Sequence, residues 1–555
     1  MRPNVIILWL AGLGSARVQY SLAPSVANGS QPYDGFVSYS IEFSSFPDFA
    51  GNTSHPNTFS NQLLENIKDL IGTKPYIRVG GNTQDYAIYN ASLSFAINGT
   101  FNPNRSLDYP TTLFIGPSFF ESYTTWPGVK FAHGFNMGLG GNSTAGWQTL
   151  LDTVPLACKA LGQGRLYWWE YGNEPDLFST SSQGPVRPAV WNETAYVQQY
   201  LNGTRTIKEL LQKSCPDLAG TSYGYLGPSF AGTKNHLRAP LAWEDGVDMD
   251  RAIKLFSSHN YISGAQSPGV TLQGTLMNHS NTARSVDAHV SEYSTIKAND
   301  SDVPPHIFGE TNSLYNEGKP GLSNAFGAAL WGVDFNLYSA SVGFKRVHMH
   351  MGTNYRYASW QPIETDKGTI GTKAPYYGNI AVAAFLGNLT QTPVVVRQIP
   401  LPSEREAAYA AYTGAGETKT ITRVLVLNLE AYNTTKDGAG LEPARDPPAR
   451  GSKTYSFGKV LPGTAMNIQR LLANGSDAIT GITWDGWSYN YELDNGRPVR
   501  LANVTIGETA HADGDGMVTV TVPDSSAAML SFRDGGYRPH GDHTEGMRHE
   551  QKLRA

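Results

Sequence analysis

The chain reads as an α/β protein, a (β/α)8 TIM barrel with a C-terminal β-sandwich domain. Three observations predict this. Between residues 36 and 388 short apolar runs alternate with helix-period segments in eight successive units, as parallel strands wrapped by helices do. From 389 to 534 the helical period gives way to short β-rich runs separated by Gly, Asn, Asp and Pro turns, the texture of a sandwich. Two apolar runs of the first region, Trp168-Trp169-Glu170-Tyr171-Gly172-Asn173-Glu174-Pro175 and His306-Ile307-Phe308-Gly309-Glu310-Thr311-Asn312, stop at glutamates. Strands of that kind are buried on both faces, so their terminal carboxylates emerge at a rim.

The first strand is expected over Phe36 to Phe43. Phe59 to Ile71 then places Leu63, Leu64, Ile67, Leu70 and Ile71 on one helical face, with Thr58 or Ser60 as cap. Tyr76 to Val79 makes the second strand, followed by Gly80-Gly81-Asn82. Val129 to Phe135 is the third, Trp147 to Leu161 a helix, and Arg165 to Tyr171 the fourth strand. A helix over Tyr196 to Gln212 leads to a fifth strand near Gly220 to Tyr225. Leu255 to His259 is the sixth, Pro305 to Phe308 the seventh, ended by Glu310, and Lys345 to Met349 the eighth. Helices over Ala325 to Ser341 and Pro375 to Leu386 complete the barrel. In the sandwich the expected strands are Val394 to Val396, Thr422 to Leu429, Lys453 to Phe457, Thr483 to Tyr491 and Met517 to Val522. The segment 17–35 precedes the barrel, and its Leu22 to Tyr33 stretch is free to pair into the sandwich.

The ends have their own character. Arg2, the apolar run Val5 to Leu13 and Gly14-Ser15-Ala16 read as a signal peptide over 1–16. Residues 535–555 are polar, His-rich and poor in apolar side chains, so disorder is expected there. Asn-x-Ser/Thr triplets recur from Asn28 to Asn503, which suits a secreted, extracellular glycoprotein. No later segment is apolar enough to span a bilayer, and no membrane role is expected. At 16% charged residues and a net charge of −5 there is no concentrated basic face for nucleic acid. Cys158 and Cys215, the two cysteines, lie near the ends of expected helices; they are either a disulfide or two buried thiols.

Chemistry concentrates at the two glutamates. By the strand count Glu174 follows the fourth strand and Glu310 the seventh, whose ends both lean over a barrel axis. Two carboxylates there, about 5–5.5 Å apart, are the equipment for retaining hydrolysis of a glycosidic bond. A general acid needs a raised pKa, and Trp168, Trp169 and Tyr171 offer desolvation around Glu174. Asn173 is placed to hydrogen-bond a sugar 2-hydroxyl. His259 and Tyr261, at the end of the sixth strand, fall close to the same site.

The long Trp-Trp-Glu-Tyr-Gly-Asn-Glu-Pro-Asp run, Phe-Gly-Glu-Thr-Asn-Ser and the terminal sandwich resemble glycoside hydrolase family 79, within the clan A retaining enzymes, from about residue 33 to 534. That is the family of β-glucuronidases and heparanase. The resemblance implies an exo-β-glucuronidase with Glu174 as acid/base and Glu310 as nucleophile, needing no cofactor and acting on a glucuronate-containing glycan. It also implies Glu42 and Asn173 as hydroxyl contacts and Tyr315 as a contact of the substrate carboxylate. Arg78, with Asn82 nearby, sits where clan A enzymes hold an arginine beneath the nucleophile. Gly352, Tyr355 and Tyr357, in the loop after the eighth strand, join the candidate substrate contacts.

Other patterns lead elsewhere. His348-Met349-His350 puts two imidazoles on one side of a strand but brings no third ligand, so no metal is expected. Asp513-Gly514-Asp515-Gly516 lacks the downstream Glu of a calcium loop, and a Gly-x-Ser-x-Gly elbow is absent. The alternatives are a heparanase-like endo-glycosidase, another clan A specificity such as arabinofuranosidase, and a catalytically dead carbohydrate-binding barrel.

Overall fold

The computed structural model describes residues 19–532 apart from 24, 107, 182–183, 221–222, 415, 439 and 441. The expected signal peptide (1–16) and the expected disordered tail (535–555) lie outside the described residues.

Eight parallel strands close into a barrel in chain order: β1 (Val37–Glu42), β2 (Ile77–Gly80), β3 (Phe131–Phe135), β4 (Leu166–Tyr171), β5 (Tyr225–Phe230), β6 (Ile253–Gly264), β7 (His306–Tyr315) and β8 (Val347–Met351). The ring shuts where β8 pairs with β1, Val347 opposite Val37. The principal outer helices are α1 (Thr58–Ile71), α2 (Thr144–Leu161), α3 (Glu193–Ser214), α4 (His279–Asn299), α5 (Phe326–Val342) and α6 (Ala374–Leu386). Alternation along β1 sets Val37, Tyr39 and Ile41 on one face and Ser38, Ser40 and Glu42 on the other, all buried. Tyr39 meets Trp360 and Asn379 outside the barrel, whereas Ser40 faces Arg78 and His350 inside it. A small apolar cluster of Ala132, Leu226, Leu255 and Ile307 also packs together, on strands that carry polar residues nearer their C-terminal ends. No helix among the described residues is long and apolar enough to cross a membrane.

The sandwich is built from β9 (Val395–Ile399), β10 (Glu406–Thr413), β11 (Thr418–Asn428), β12 (Ser452–Gly458), β13 (Ala465–Leu472), β14 (Val518–Pro523) and β15 (Ser526–Ser531), with shorter strands at the edges. Its core includes Val424, Val426, Tyr455, Phe457, Val518, Val520 and Leu530. Ser25–Ala27 adds antiparallel to β11 and Gln19–Ser21 parallel to β12, with Leu22 buried in the sandwich core. Cys158 of α2 and Cys215, just after α3, form a disulfide with Cα atoms 6.2 Å apart.

Several local expectations shift. The cap of α1 is Asn57, whose side chain accepts from the Ser60 N–H, because the helix starts earlier than its apolar face. The fifth strand starts where it was expected to end. β5 runs through Gly227 and Pro228, residue types that are uncommon inside strands. β7 does not end at Glu310: it continues to Tyr315, paired with an extended β6 across one register shift at Ser258/His259. β10, β13, β15 and the short Glu508–His511 strand were missed. β10 (EAAYAAYT) and β15 (SAAMLS) are alanine-rich, a poor β signal, and become strands because neighbours bury both faces.

Candidate active site

Glu174 and Glu310 face each other at the C-terminal rim. One carboxylate oxygen of each, together with a ring nitrogen of His259, lie within 4.8 Å of one another. Glu174 sits three residues past β4 in the left-handed region, φ 52° and ψ 50°, strained for a non-glycine residue. Its N–H donates to the Ser229 carbonyl at 3.0 Å, and Ser229 is itself left-handed, with φ 57°. Glu310 lies within β7, opposite His259 of β6.

Arg78 binds both sides of the floor. Wholly buried, it lies 2.6 Å from Glu310 Oε2 and 2.7 Å from Glu170 Oε2, and it donates to Asn173 Oδ1 at 2.7 Å and Ser40 Oγ at 3.0 Å. The Tyr261 hydroxyl donates to Glu310 Oε1 at 2.7 Å. His350 is wedged between carboxylates, with Nε2 3.4 Å from Glu42 and Nδ1 3.6 Å from Glu310. His259 Nδ1 is 2.9 Å from Glu174 Oε1.

These neighbours separate the two carboxyls. Burial, and then the charge of Glu310, hold Glu174 well above the ordinary carboxylate range against the pull of Arg78 and His350. Burial would raise Glu310 too, but His350, His259, Arg78 and the Tyr261 hydroxyl outweigh it and bring it down to about 2. Burial pushes the His259 imidazole down to about 4, so near neutral pH the fixed positive charge beside Glu310 is that of Arg78. His350 is raised in spite of burial by Glu310 and Glu42. One carboxyl kept protonated beside one kept ionised is an acid and a nucleophile. Glu174, His259 and Glu310 also have the composition of a metal triad, but Arg78 already supplies the cation that Glu310 would seek.

The expected substrate contacts sort by exposure. Tyr315 is 48% exposed, at the tip of the β6–β7 ribbon. Its ring covers Gly264, where a Cβ would fall 2.4 Å from it. His259 is fully buried and touches Glu174 rather than an open pocket. Tyr261 directs its hydroxyl at Glu310. Glu42, also expected to meet a sugar hydroxyl, is 2% exposed, and its oxygens are engaged by Thr83, Tyr355 and His350. Asn173 is buried; Arg78 takes its Oδ1 and its Nδ2 donates to Asn82, which is exposed. Tyr355 and Tyr357 are buried edge to face at 5.6 Å, with the Tyr355 ring against Gly352, where a Cβ would lie 2.6 Å away.

Sequence reasoning passed over His350, Glu170, Ser40 and Ser229. The signal for His350 was its two-residue spacing from His348, which turns both imidazoles to one side. Glu170 stands in the same run as Glu174, one position before the end of β4. Ser229 donates to Glu170 Oε1 at 2.6 Å, a contact with no sequence signature.

Residues 408–529 match the glycosyl hydrolase family 79 C-terminal beta domain. A β-glucuronidase of Neurospora crassa is 60% identical over 559 residues, covering 93% of this chain and 99% of that protein. One of Aspergillus niger is 56% identical over 505 residues, 90% of each chain. A crystal structure of a 4-O-α-L-rhamnosyl-β-D-glucuronidase from Fusarium oxysporum, in complex with Rha-GlcA, matches with a TM-score of 0.72 at 25% identity over 93% of this chain and 100% of that one. With relatives this similar along nearly its whole length, the chain belongs to glycoside hydrolase family 79 and is a glycoside hydrolase of the fungal β-glucuronidase type.

Proposed function

We propose that the protein is a secreted, retaining exo-β-glucuronidase that releases terminal β-linked glucuronic acid, 4-O-methylated or not, from glycans or proteoglycans. The observation that carries the reading is the pair itself: Glu174 and Glu310 oxygens within 4.8 Å, with one carboxyl held up and the other held down. Retaining enzymes place their carboxyls about 5–5.5 Å apart, whereas inverting enzymes leave about 6.5–9.5 Å for a water. In the first step Glu310 attacks the anomeric carbon while Glu174 gives its proton to the leaving oxygen. In the second, Glu174 takes a proton from water, which displaces Glu310 and frees the sugar with its configuration kept. Arg78 and Tyr261 hold Glu310 ionised and aimed for attack. Support for glucuronate comes from the two fungal relatives; Tyr315, an exposed phenol at the end of β7, is the candidate contact for the sugar carboxylate. Support for secretion comes from the 1–16 segment and the recurrent sequons.

The test is turnover of p-nitrophenyl β-glucuronide by wild type, E174Q and E310Q, with the anomer formed first read by proton NMR. Loss of about 100-fold or more in both variants and initial release of the β-anomer are expected. Initial α-anomer would overturn retention. No release of glucuronate alongside release of another sugar would overturn the specificity.

A further inference from the structure

We propose that Asp85 is a positioning residue for the acid/base: it fixes the Asn173–Glu174 backbone by tying together the loops after β2, β3 and β4. The inference rests on the reading of Glu174 as acid/base. Asp85 lies in a short 3-10 helix after β2 and is 6% exposed. Its Oδ1 accepts from the N–H groups of Met137 and Gly138, at 2.7 and 2.9 Å, and its Oδ2 accepts from the Asn173 N–H at 2.7 Å. Burial pushes the carboxyl up to about 7, but all three partners are donors, so the ionised carboxylate is the form the geometry fits; a protonated one would aim an O–H where only N–H groups converge. Arg187 closes the clamp from the other side. It donates to the carbonyls of the same two residues, Gly138 at 2.7 Å and Met137 at 2.9 Å.

The geometry reaches Glu174 through one peptide. The Asn173 N–H is pinned by Asp85 on one flank, and the Glu174 N–H by the Ser229 carbonyl on the other. The chain enters those pins from Gly172, at φ 85°, and leaves them through the left-handed Glu174. A non-glycine residue in that region persists only where its surroundings over-determine it. Freed from Asp85, the loop would relax toward ordinary backbone angles and carry the Glu174 carboxyl away from the leaving oxygen. Packing leaves no slack on the Asp85 side: a Cβ on Gly138 would fall 2.7 Å from the Asp85 carbonyl oxygen and 2.9 Å from its Cβ.

A positioning role has a signature that a purely structural one lacks. Leaving groups that depart without a proton, such as 2,4-dinitrophenol, do not need the acid, whereas phenol does. We would measure kcat/KM of D85N, G138A and E174Q on a series of aryl β-glucuronides, with thermal melts alongside. For D85N and G138A the expected loss is on the order of 10–100-fold with phenyl glucuronide and about threefold or less with the dinitrophenyl substrate. Equal losses across the series, or no loss, would overturn the proposal; G138A carries the same test on its own if D85N does not fold. If E174Q also lacks leaving-group dependence, it is the assignment of Glu174 that fails. If E174Q shows the dependence and the other two do not, only the role of Asp85 fails.

Discussion

Replacing Tyr261 by Phe removes one hydroxyl and asks whether that residue holds the nucleophile or the substrate. The hydroxyl donates to Glu310 Oε1 at 2.7 Å, and a hydrogen bond to a charged group contributes about 1.5–3 kcal/mol. At about 1.4 kcal/mol per pH unit, its loss moves the Glu310 titration upward by roughly 1–2 units from about 2. The acidic limb of the kcat/KM profile on p-nitrophenyl β-glucuronide should rise by the same amount, with the neutral plateau far less affected. Stability follows with a definite sign. Glu310 is depressed in the folded state, so its contribution is present above the ordinary carboxylate range and is lost as pH falls toward the folded value. In Y261F that lower edge moves up, and acid unfolding should begin at higher pH. A uniform drop in kcat/KM at every pH, with the acidic limb unmoved, would refute this and make Tyr261 a substrate contact instead.

Two further outcomes concern the frame around the site. His279 Nδ1 lies 3.0 Å from Asp334 Oδ1, and the same oxygen accepts from Tyr409 of β10 at 2.6 Å, so the cluster joins α5 to the sandwich. Burial alone would lower His279, but Asp334 raises it. Its stabilisation is therefore complete below about 6.5 and lost as pH rises through the folded value; the Tm gap between wild type and H279Q should narrow from pH 6 to pH 9. The Cys158–Cys215 bond closes a separation of 57 residues, which chain entropy values at about 4 kcal/mol. The C158A/C215A variant should melt earlier at every pH, with kcat on its folded fraction unchanged.

How far the site could be read from sequence depended on what each residue type announces. Glu174 and Glu310 announce themselves as a pair: either alone reads as well as a loop residue or an arginine's ion-pair partner, but two at the ends of the fourth and seventh strands point to one chemistry. Their partners do not. His350 sits in a pattern first weighed as a metal ligand, and its real neighbours, Glu42 and Glu310, come from strands far away in sequence. The β7 extension was hidden because Thr311-Asn312-Ser313 is polar and reads as loop. In the structure those residues are buried, with Thr311 donating to the Asn260 carbonyl and Asn312 to that of His350. The same polarity that suggested solvent serves the inside of a barrel rim. His259 does lie at the site expected of it, but buried against the Glu174 carboxyl, a partner that a strand-end imidazole does not announce.

The environment that separates the two carboxyls also implies that Glu174 changes character within one turnover. The charge of Glu310 is, after burial, the largest cause raising Glu174. With oxygens within 4.8 Å, that repulsion is about 3.5 kcal/mol at an effective dielectric constant of 20. Once Glu310 is esterified to the sugar its charge is gone, while Arg78 and His350, which favour ionised Glu174, remain. Glu174 should then titrate at lower pH and stand ready as a base for the incoming water, the role that microscopic reversibility requires of it. A 2-deoxy-2-fluoro-glucuronyl enzyme would isolate that state. With carbon-13 in the glutamates, the Glu174 midpoint should fall clearly on going from free enzyme to the trapped ester. An unchanged or higher midpoint would mean that burial alone sets Glu174, and that the pair is not coupled as its geometry requires.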